Sequence, residues 1–259
     1  WCMCYDVKTS LEAQLKRAKR NQDLKAIDEI IEKLGPLTDL PLHHASGFSH
    51  PDVLIYTNED QFYPMVATWG LIPHWVNSVE QQKKIWNSTL NARVETITDK
   101  PAFRDSVQEK RCIFYVDGFY EHHHCNNHTY PFYIHRKNNQ PIALAALWSK
   151  WVNPEDGGVI NSFSVVTTIG NGLMAKIHNN PKLKEPRMPL MLSENMEEQW
   201  LTSALDFEKE LKELLTENGT IELQAHTVGK LRGKSYEGNV ASISDEVVYK
   251  ELETEEWKF

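Results

Sequence analysis

An α+β fold is the expectation from this sequence, and three observations predict it. β-rich runs dominate the middle of the chain, over residues 111–121, 130–136, 141–148 and 160–168. Short polar turns join most of them, which favours antiparallel or mixed pairing over parallel crossovers. Helical patterns lie outside this block, so helices should surround one sheet. The sequence carries no internal repeat, low-complexity linker or domain boundary, and a single domain over residues 4–259 is expected.

Taken in order, residues 9–34 show apolar positions at helical spacing: Leu11, Leu15, Ala18, then Leu24, Ile27, Ile31 and Leu34. Thr9 and Glu12 form a capping-box pattern, Gly35-Pro36 ends the run, and residues 21–23 divide it in two. Residues 40–50 carry Pro, Gly, Ser and His and predict a loop. Residues 52–57 and 62–69 predict strands about a polar turn, followed by an aromatic loop to Trp75. Pro101 suits the first turn of a short helix over 101–107. Helices are expected over 195–201 and 206–215, a strand over 221–228, and an irregular charged end.

Composition narrows the function. Of 259 residues, 41% are hydrophobic and 25% charged, an ordinary globular balance. No run of about 18 apolar residues exists, so no membrane span and no membrane partner are expected. Cys2, Cys4, Cys112 and Cys125 make no disulfide framework and fit a reducing, cytoplasmic setting. The net charge of −8 argues against coating nucleic acid by bulk charge. The early cluster of Lys8, Lys16, Arg17, Lys19, Arg20 and Lys25 reads as a solvated helix face.

Four stretches carry candidate chemistry. Met3-Cys4 lies beside the chain start, and a cysteine there with a free amine is a 1,2-aminothiol. Its amine (pKa ~8) and thiol (~8.5) are both partly nucleophilic near neutral pH, and together they can trap an aldehyde as a five-membered ring. Asn91, Arg93 and Glu95 alternate in a segment that, if extended, aligns them on one face. Asp117-Gly118 marks a tight turn or bulge, after which Glu121 follows two aromatics, a setting that suits a general acid. His178 follows a short helical segment ahead of Arg187-Met188-Pro189. A fifth stretch, His122-His123-His124-Cys125 with His128, is rich in metal-binding side chains. Adjacent residues cannot all face one ion, so it reads as a solvated turn, and neither a metal nor another cofactor is expected.

The chain resembles the SRAP family, the SOS response-associated peptidases and abasic-site DNA–protein crosslinking proteins. The resemblance rests on Met3-Cys4, Trp69-Gly-Leu-Ile-Pro-His-Trp75, Asn91-Ala-Arg93-Val-Glu95-Thr96, Pro101-Ala-Phe-Arg104, Arg111-Cys112, Asp117-Gly-Phe-Tyr-Glu121 and His178 before Arg187-Met-Pro189, in that order. It implies a curved, barrel-like, mostly antiparallel sheet flanked by helices, with a groove for single-stranded DNA. It implies that Cys4 crosslinks the ring-opened aldehyde of an abasic site, ending as a thiazolidine. Asn91 then orients the cysteine and the sugar, Arg93 contacts phosphate, and Glu121 and His178 move protons. Arg187 is carried over as a DNA contact. Trp69 and Trp75 are candidates to stack unpaired bases, although about half of such aromatics belong in a core.

The sequence departs from the family at three places. Trp1-Cys2-Met3 precede Cys4 and block its amine. They are expected to be an upstream reading of the start codon, an added remnant or a self-cleaved leader. Histidines replace the tryptophan that often follows the glutamate. Residues 179–186 are inserted between His178 and Arg187. Two other readings follow from the same residues: an N-terminal-nucleophile thiol peptidase or amidase, and a non-covalent single-stranded DNA-binding module. A monomer is adequate for all three.

Overall fold

The computed structural model describes residues 5–202, 214–215, 218 and 221–252. Among these, strand β1 (Asp6–Thr9) leads into three short helices, α1 (Leu11–Gln14), α2 (Lys16–Arg20) and α3 (Leu24–Glu29). Strands β2 (Leu42–Ser46), β3 (Asp52–Thr57) and β4 (Met65–Trp69) follow, then α4 (Val79–Trp86), β5 (Asn91–Arg93) and α5 (Arg104–Glu109). Strands β6 (Arg111–Val116), β7 (Gly118–Cys125), β8 (His128–Arg136), β9 (Ile142–Val152) and β10 (Val159–Ile169) run consecutively. Helix α6 (Gly172–Ile177), β11 (Arg187–Pro189), β12 (Met191–Leu192), α7 (Glu194–Leu201) and β13 (Leu223–Thr227) complete the described chain.

Five strands close a ring. β4 pairs with β3, β3 with β6, β6 with β9, β9 with β10, and β10 returns to β4 as the one parallel contact of the ring. A second sheet, in the order β13-β8-β7-β1-β2, packs beside it. This is the α+β, barrel-like and mostly antiparallel architecture that the resemblance implies.

β6 shows why the ring holds. All six of its residues are buried. Cys112, Phe114 and Val116 join Trp69, Phe163 and Trp148 in one core, while Ile113 and Tyr115 face a second core with Trp200. A strand covered on both faces reads as a continuous apolar run, as this one does. Helix α7 covers the outer core. Ser193 caps it at the Met196 amide, and the Trp200 indole donates to the Cys112 carbonyl at 2.9 Å.

Several sequence expectations are corrected. The first helix starts at Leu11, not Thr9. The Thr9 hydroxyl donates to the Tyr115 carbonyl, and Ser10 takes over as cap. Gln22, at φ +55, breaks the helical run where residues 21–23 divide it. Residues 42–46 are a strand rather than a loop, because β1 supplies the pairing edge. The run 111–121 divides at Asp117 into two strands that belong to different sheets. Arg17 is no solvated helix residue. It is buried, donating to Glu197 at 3.3 Å and Glu198 at 2.9 Å. The helix expected over 206–215 lies almost wholly outside the described residues, as do Cys4 and residues 1–3.

Candidate active site

β7 is the strand that positions the site. Gly118 opens it, where a Cβ would fall 2.5 Å from the Ile134 carbonyl on β8, so only glycine lets the two strands approach. Alternation then sends Phe119, Glu121 and His123 inward, and Tyr120, His122 and His124 to the opposite face. The histidine-rich stretch is therefore strand, not turn. The hairpin turns instead at Asn126 and Asn127, both with positive φ (49° and 62°), a conformation asparagine tolerates. Among the described residues no three His, Cys, Asp or Glu side chains are grouped to hold a metal.

Glu121 is buried, and its Oε2 lies 3.3 Å from Nδ1 of His178. His178 ends α6, and that helix is fixed by an Asn171 side chain accepting from the Met174 amide. Two contacts compete for His178 Nδ1: the Arg187 carbonyl at 2.9 Å and the Arg187 amide at 3.3 Å. The shorter assigns the proton to Nδ1, which donates to the carbonyl and toward Glu121. The Nε2 lone pair is then left as a proton acceptor. That atom is buried and has no hydrogen-bond partner among the described residues.

Arg187 ties this pair to the next segment. Its guanidinium grips both oxygens of Glu95, at 2.7 and 2.9 Å, and donates to the Thr167 carbonyl at 2.8 Å. Thr167 pairs with Arg93 in the β5–β10 ladder, and Val165 pairs with Asn91. Asn91 is buried, whereas Arg93 is exposed. The alternation predicted for Asn91, Arg93 and Glu95 fails after Arg93, where the chain coils into a short turn over Val94–Thr96. Glu95 therefore pairs with Arg187, whose charge and hydrogen bond offset burial and hold its carboxyl below the usual range.

A cleft of about 380 Å³ runs past Ser88, Asn91, Arg93, Lys100 and Phe103. Trp75 stands at its rim, 39% exposed, with its indole donating to the Pro101 carbonyl. Trp69 is fully buried between Phe114 and Phe163, with its indole donating to the Leu90 carbonyl, so it offers no face to a base. Arg187 is likewise a correction. Its guanidinium is buried and already bound by Glu95 and Thr167, so it braces the site instead of meeting phosphate.

Sequence reasoning missed the network at the start of β1. Asp6 accepts from Arg232 at 2.8 Å and contacts His44 Nε2 at 3.3 Å, while Nδ1 of His44 meets the Tyr236 hydroxyl at 2.8 Å. Burial alone would raise the Asp6 carboxyl, but the His44 hydrogen bond and the Arg232 charge outweigh it and lower the pKa. No local pattern announces this cluster, since its members come from three distant segments. Asp6 pairs with Tyr120, so the chain enters β1 one step from Glu121.

A family model for SOS response associated peptidase (SRAP) matches residues 17–235. The chain belongs to the SRAP family. The abasic site processing protein YoqW of Bacillus subtilis (strain 168) is 35% identical over 164 residues, covering 63% of this chain and 68% of that protein. The abasic site processing protein YedK of Escherichia coli (strain K12) is 28% identical, covering 70% and 75%. The abasic site processing protein HMCES of Pongo abelii is 26% identical over 275 residues, covering 92% of this chain and 75% of that protein. A crystal structure of a protein from Bacteroides thetaiotaomicron superimposes with a TM-score of 0.78, at 29% identity, over 95% of this SRAP chain and all of that one.

Proposed function

We propose that this SRAP protein captures abasic sites in single-stranded DNA through Cys4, once the Cys4 α-amine is free. The observation that carries the reading is the buried Glu121–His178 contact, with a His178 Nε2 that has no partner among the described residues, at the point where the chain enters β1. The names of the related abasic site processing proteins support the same substrate.

The Cys4 amine adds to the ring-opened aldehyde, and one amine proton passes to the oxygen to give the carbinolamine. Glu121 donates a proton to the leaving hydroxyl, so water departs and a protonated imine that keeps its remaining N–H is left. The thiol gives its proton to His178 Nε2 and its sulfur adds to the iminium carbon, which yields a neutral ring nitrogen. The aldehyde C=O bond is lost, one C–N and one C–S bond form, one water leaves, and return of the proton from His178 to Glu121 restores the pair. Asn91 orients the sugar, Arg93 and Lys100 meet phosphates along their cleft, and Trp75 gives a base a stacking face. The same thiol acting on the preceding carbonyl would break the Met3–Cys4 C–N bond and form a thioester, which water then hydrolyses to a carboxylate and a free thiol and amine, the autopeptidase step.

The test is intact mass of protein starting at Cys4, before and after mixing with an oligonucleotide holding one abasic site. A heat-stable gain equal to the oligonucleotide less one water is expected, and Cys4→Ala abolishes it. Glu121→Gln slows the gain by about 10²-fold or more while strand affinity stays the same. An adduct that persists in Cys4→Ala, or no adduct in the parent, overturns the reading.

A further inference from the structure

A second cleft, of about 450 Å³, opens on the other face of β7 and is lined by His122, His124, Asn127, His128, Lys230 and Arg232 among others. It shares one strand edge with the catalytic pair. Among the described residues, β1 pairs with β7 from Gly118 to Tyr120. Side chains also meet the β7 edge beyond that point. The Glu121 carboxylate accepts from the His122 amide at 3.0 Å. Asn179 takes both main-chain groups of His124, at 2.7 and 2.9 Å. Glu121 and His178 therefore lie under this edge, and His122 and His124 lie over it.

The charge in the cleft is one-sided. The whole chain has 36 acidic against 28 basic residues, yet among the described residues no carboxylate lines this cleft. Another cleft of similar size shows the contrast, since its Arg136 and Lys137 are balanced by Glu194 and Glu222. Lys230 is held by the Thr129 carbonyl at 2.5 Å and lies over the rings of Tyr130 and Tyr249, at 5.1 and 5.2 Å. An ammonium has three donors, so such a lysine keeps N–H groups for a ligand. Arg232 is 62% exposed at its side chain and gives one nitrogen to Asp6. His124 is held below the usual imidazole range, chiefly by burial. His122 is pushed down to about 4 by burial, so at neutral pH it can donate a hydrogen bond but adds no charge.

We propose that this cleft binds backbone phosphates of the DNA strand that carries the lesion, where that strand crosses the β7 edge on leaving the catalytic pair. The proposal rests on the DNA reading above. Long, cationic side chains with spare donors, set in a lining without a carboxylate among the described residues, suit a repeating monoanion even though Arg232 also pairs with Asp6 behind it, and phosphate contacts fix the register of a strand without reading its sequence. The histidines that replace an aromatic side chain after Glu121 thereby become part of a path for the strand.

The experiment measures affinity of labelled single-stranded DNA without a lesion, which separates binding from capture, across a salt series. Lys230→Gln/Arg232→Gln is compared with the parent. Because Arg232 also anchors Asp6, Lys230→Gln alone serves as a second variant that leaves that anchor intact. Affinity is expected to fall about tenfold, and the log–log salt slope to become shallower by roughly 0.7 for each phosphate no longer neutralised. Unchanged affinity and slope in both folded variants overturn the cleft assignment, while adduct formation by the parent leaves the DNA reading standing. A parent that neither binds nor crosslinks DNA overturns both. Thermal stabilisation of the parent by inorganic phosphate, lost in the variants with no change in DNA affinity, makes the cleft a free-anion site and overturns the strand path.

Discussion

Trp69 and Trp75 belong to one short motif, yet their surroundings are opposite. Trp69 has no exposed surface, while Trp75 is 39% exposed. Trp69→Ala should therefore cost about 3–5 kcal/mol of stability, the range for an emptied aromatic core site. Trp75→Ala should leave stability within about 1 kcal/mol and weaken single-stranded DNA binding by roughly 1–3 kcal/mol if a base stacks there. Urea unfolding and DNA titration of both variants check this, and a destabilised Trp75→Ala would contradict the surface role. The motif announces both tryptophans equally. What separates them is ring closure around Phe114 and Phe163, which come from distant strands. Arg187 carries the same lesson. Its residue type suits phosphate, but burial and the Glu95 carboxylate commit it to bracing His178 through the Arg187 backbone. Motif order names Glu121 and His178 only as candidates. Their contact was not legible, since it depends on how α6 docks on β7.

At the scale of elements, strands with strong local patterns were readable, and those defined by their partners were not. Residues 52–57 carry enough β-branched and aromatic content to predict β3 to the residue. β2 has two histidines, an alanine and a serine, and becomes a strand only because β1 lies beside it. The division of residues 111–121 had its signal in Asp117-Gly118, but the choice of two different sheets is non-local. The inserted segment 179–186 obscured the link between His178 and Arg187 in sequence. In the structure it starts by docking, through Asn179, on the main chain of His124. That docking makes a prediction. Asn179→Ala removes two hydrogen bonds and should cost about 1 kcal/mol of stability. It should also slow abasic-site capture about tenfold, because it loosens α6 and β7 relative to one another, with strand affinity unchanged. Single-turnover capture kinetics with a parallel binding assay test it. A parent-like rate would show that the contact only tethers the loop.

Over the whole molecule, the sheet beside the ring gathers imidazoles that burial keeps neutral, and this links stability to pH. His122 is pushed down to about 4, and His124 and His135 are lowered too, burial being the largest cause in each. An unfolded histidine titrates near 6.5. Between about 6.5 and 4 the unfolded chain therefore binds more protons than the folded one, and stability must fall as pH falls through that window. His122 alone contributes at most about 3 kcal/mol, since each tenfold change in proton affinity is worth about 1.4 kcal/mol. The groups around it are Asp6, whose charge opposes the lowering, and Arg232, His124 and His44, which reinforce it. Asp6, with its own pKa lowered, adds stability that persists through this window and is lost only at more acidic pH. Asp117, raised by burial, acts in the opposite sense near the carboxylate range and softens the acid end. Urea midpoints at pH 7.5, 6.5, 5.5 and 4.5 should decline steadily, and His122→Gln should flatten the decline. A parent profile level from 7.5 to 4.5, or equal slopes in parent and variant, would mean that His122 is not held neutral. The consequence for function is direct. The proposed phosphate cleft gains charge on acidification only by protonating the imidazoles whose neutrality the fold depends on. Stronger strand binding at low pH must therefore come with a less stable sheet, and the capture reaction should run best above the window in which that exchange occurs.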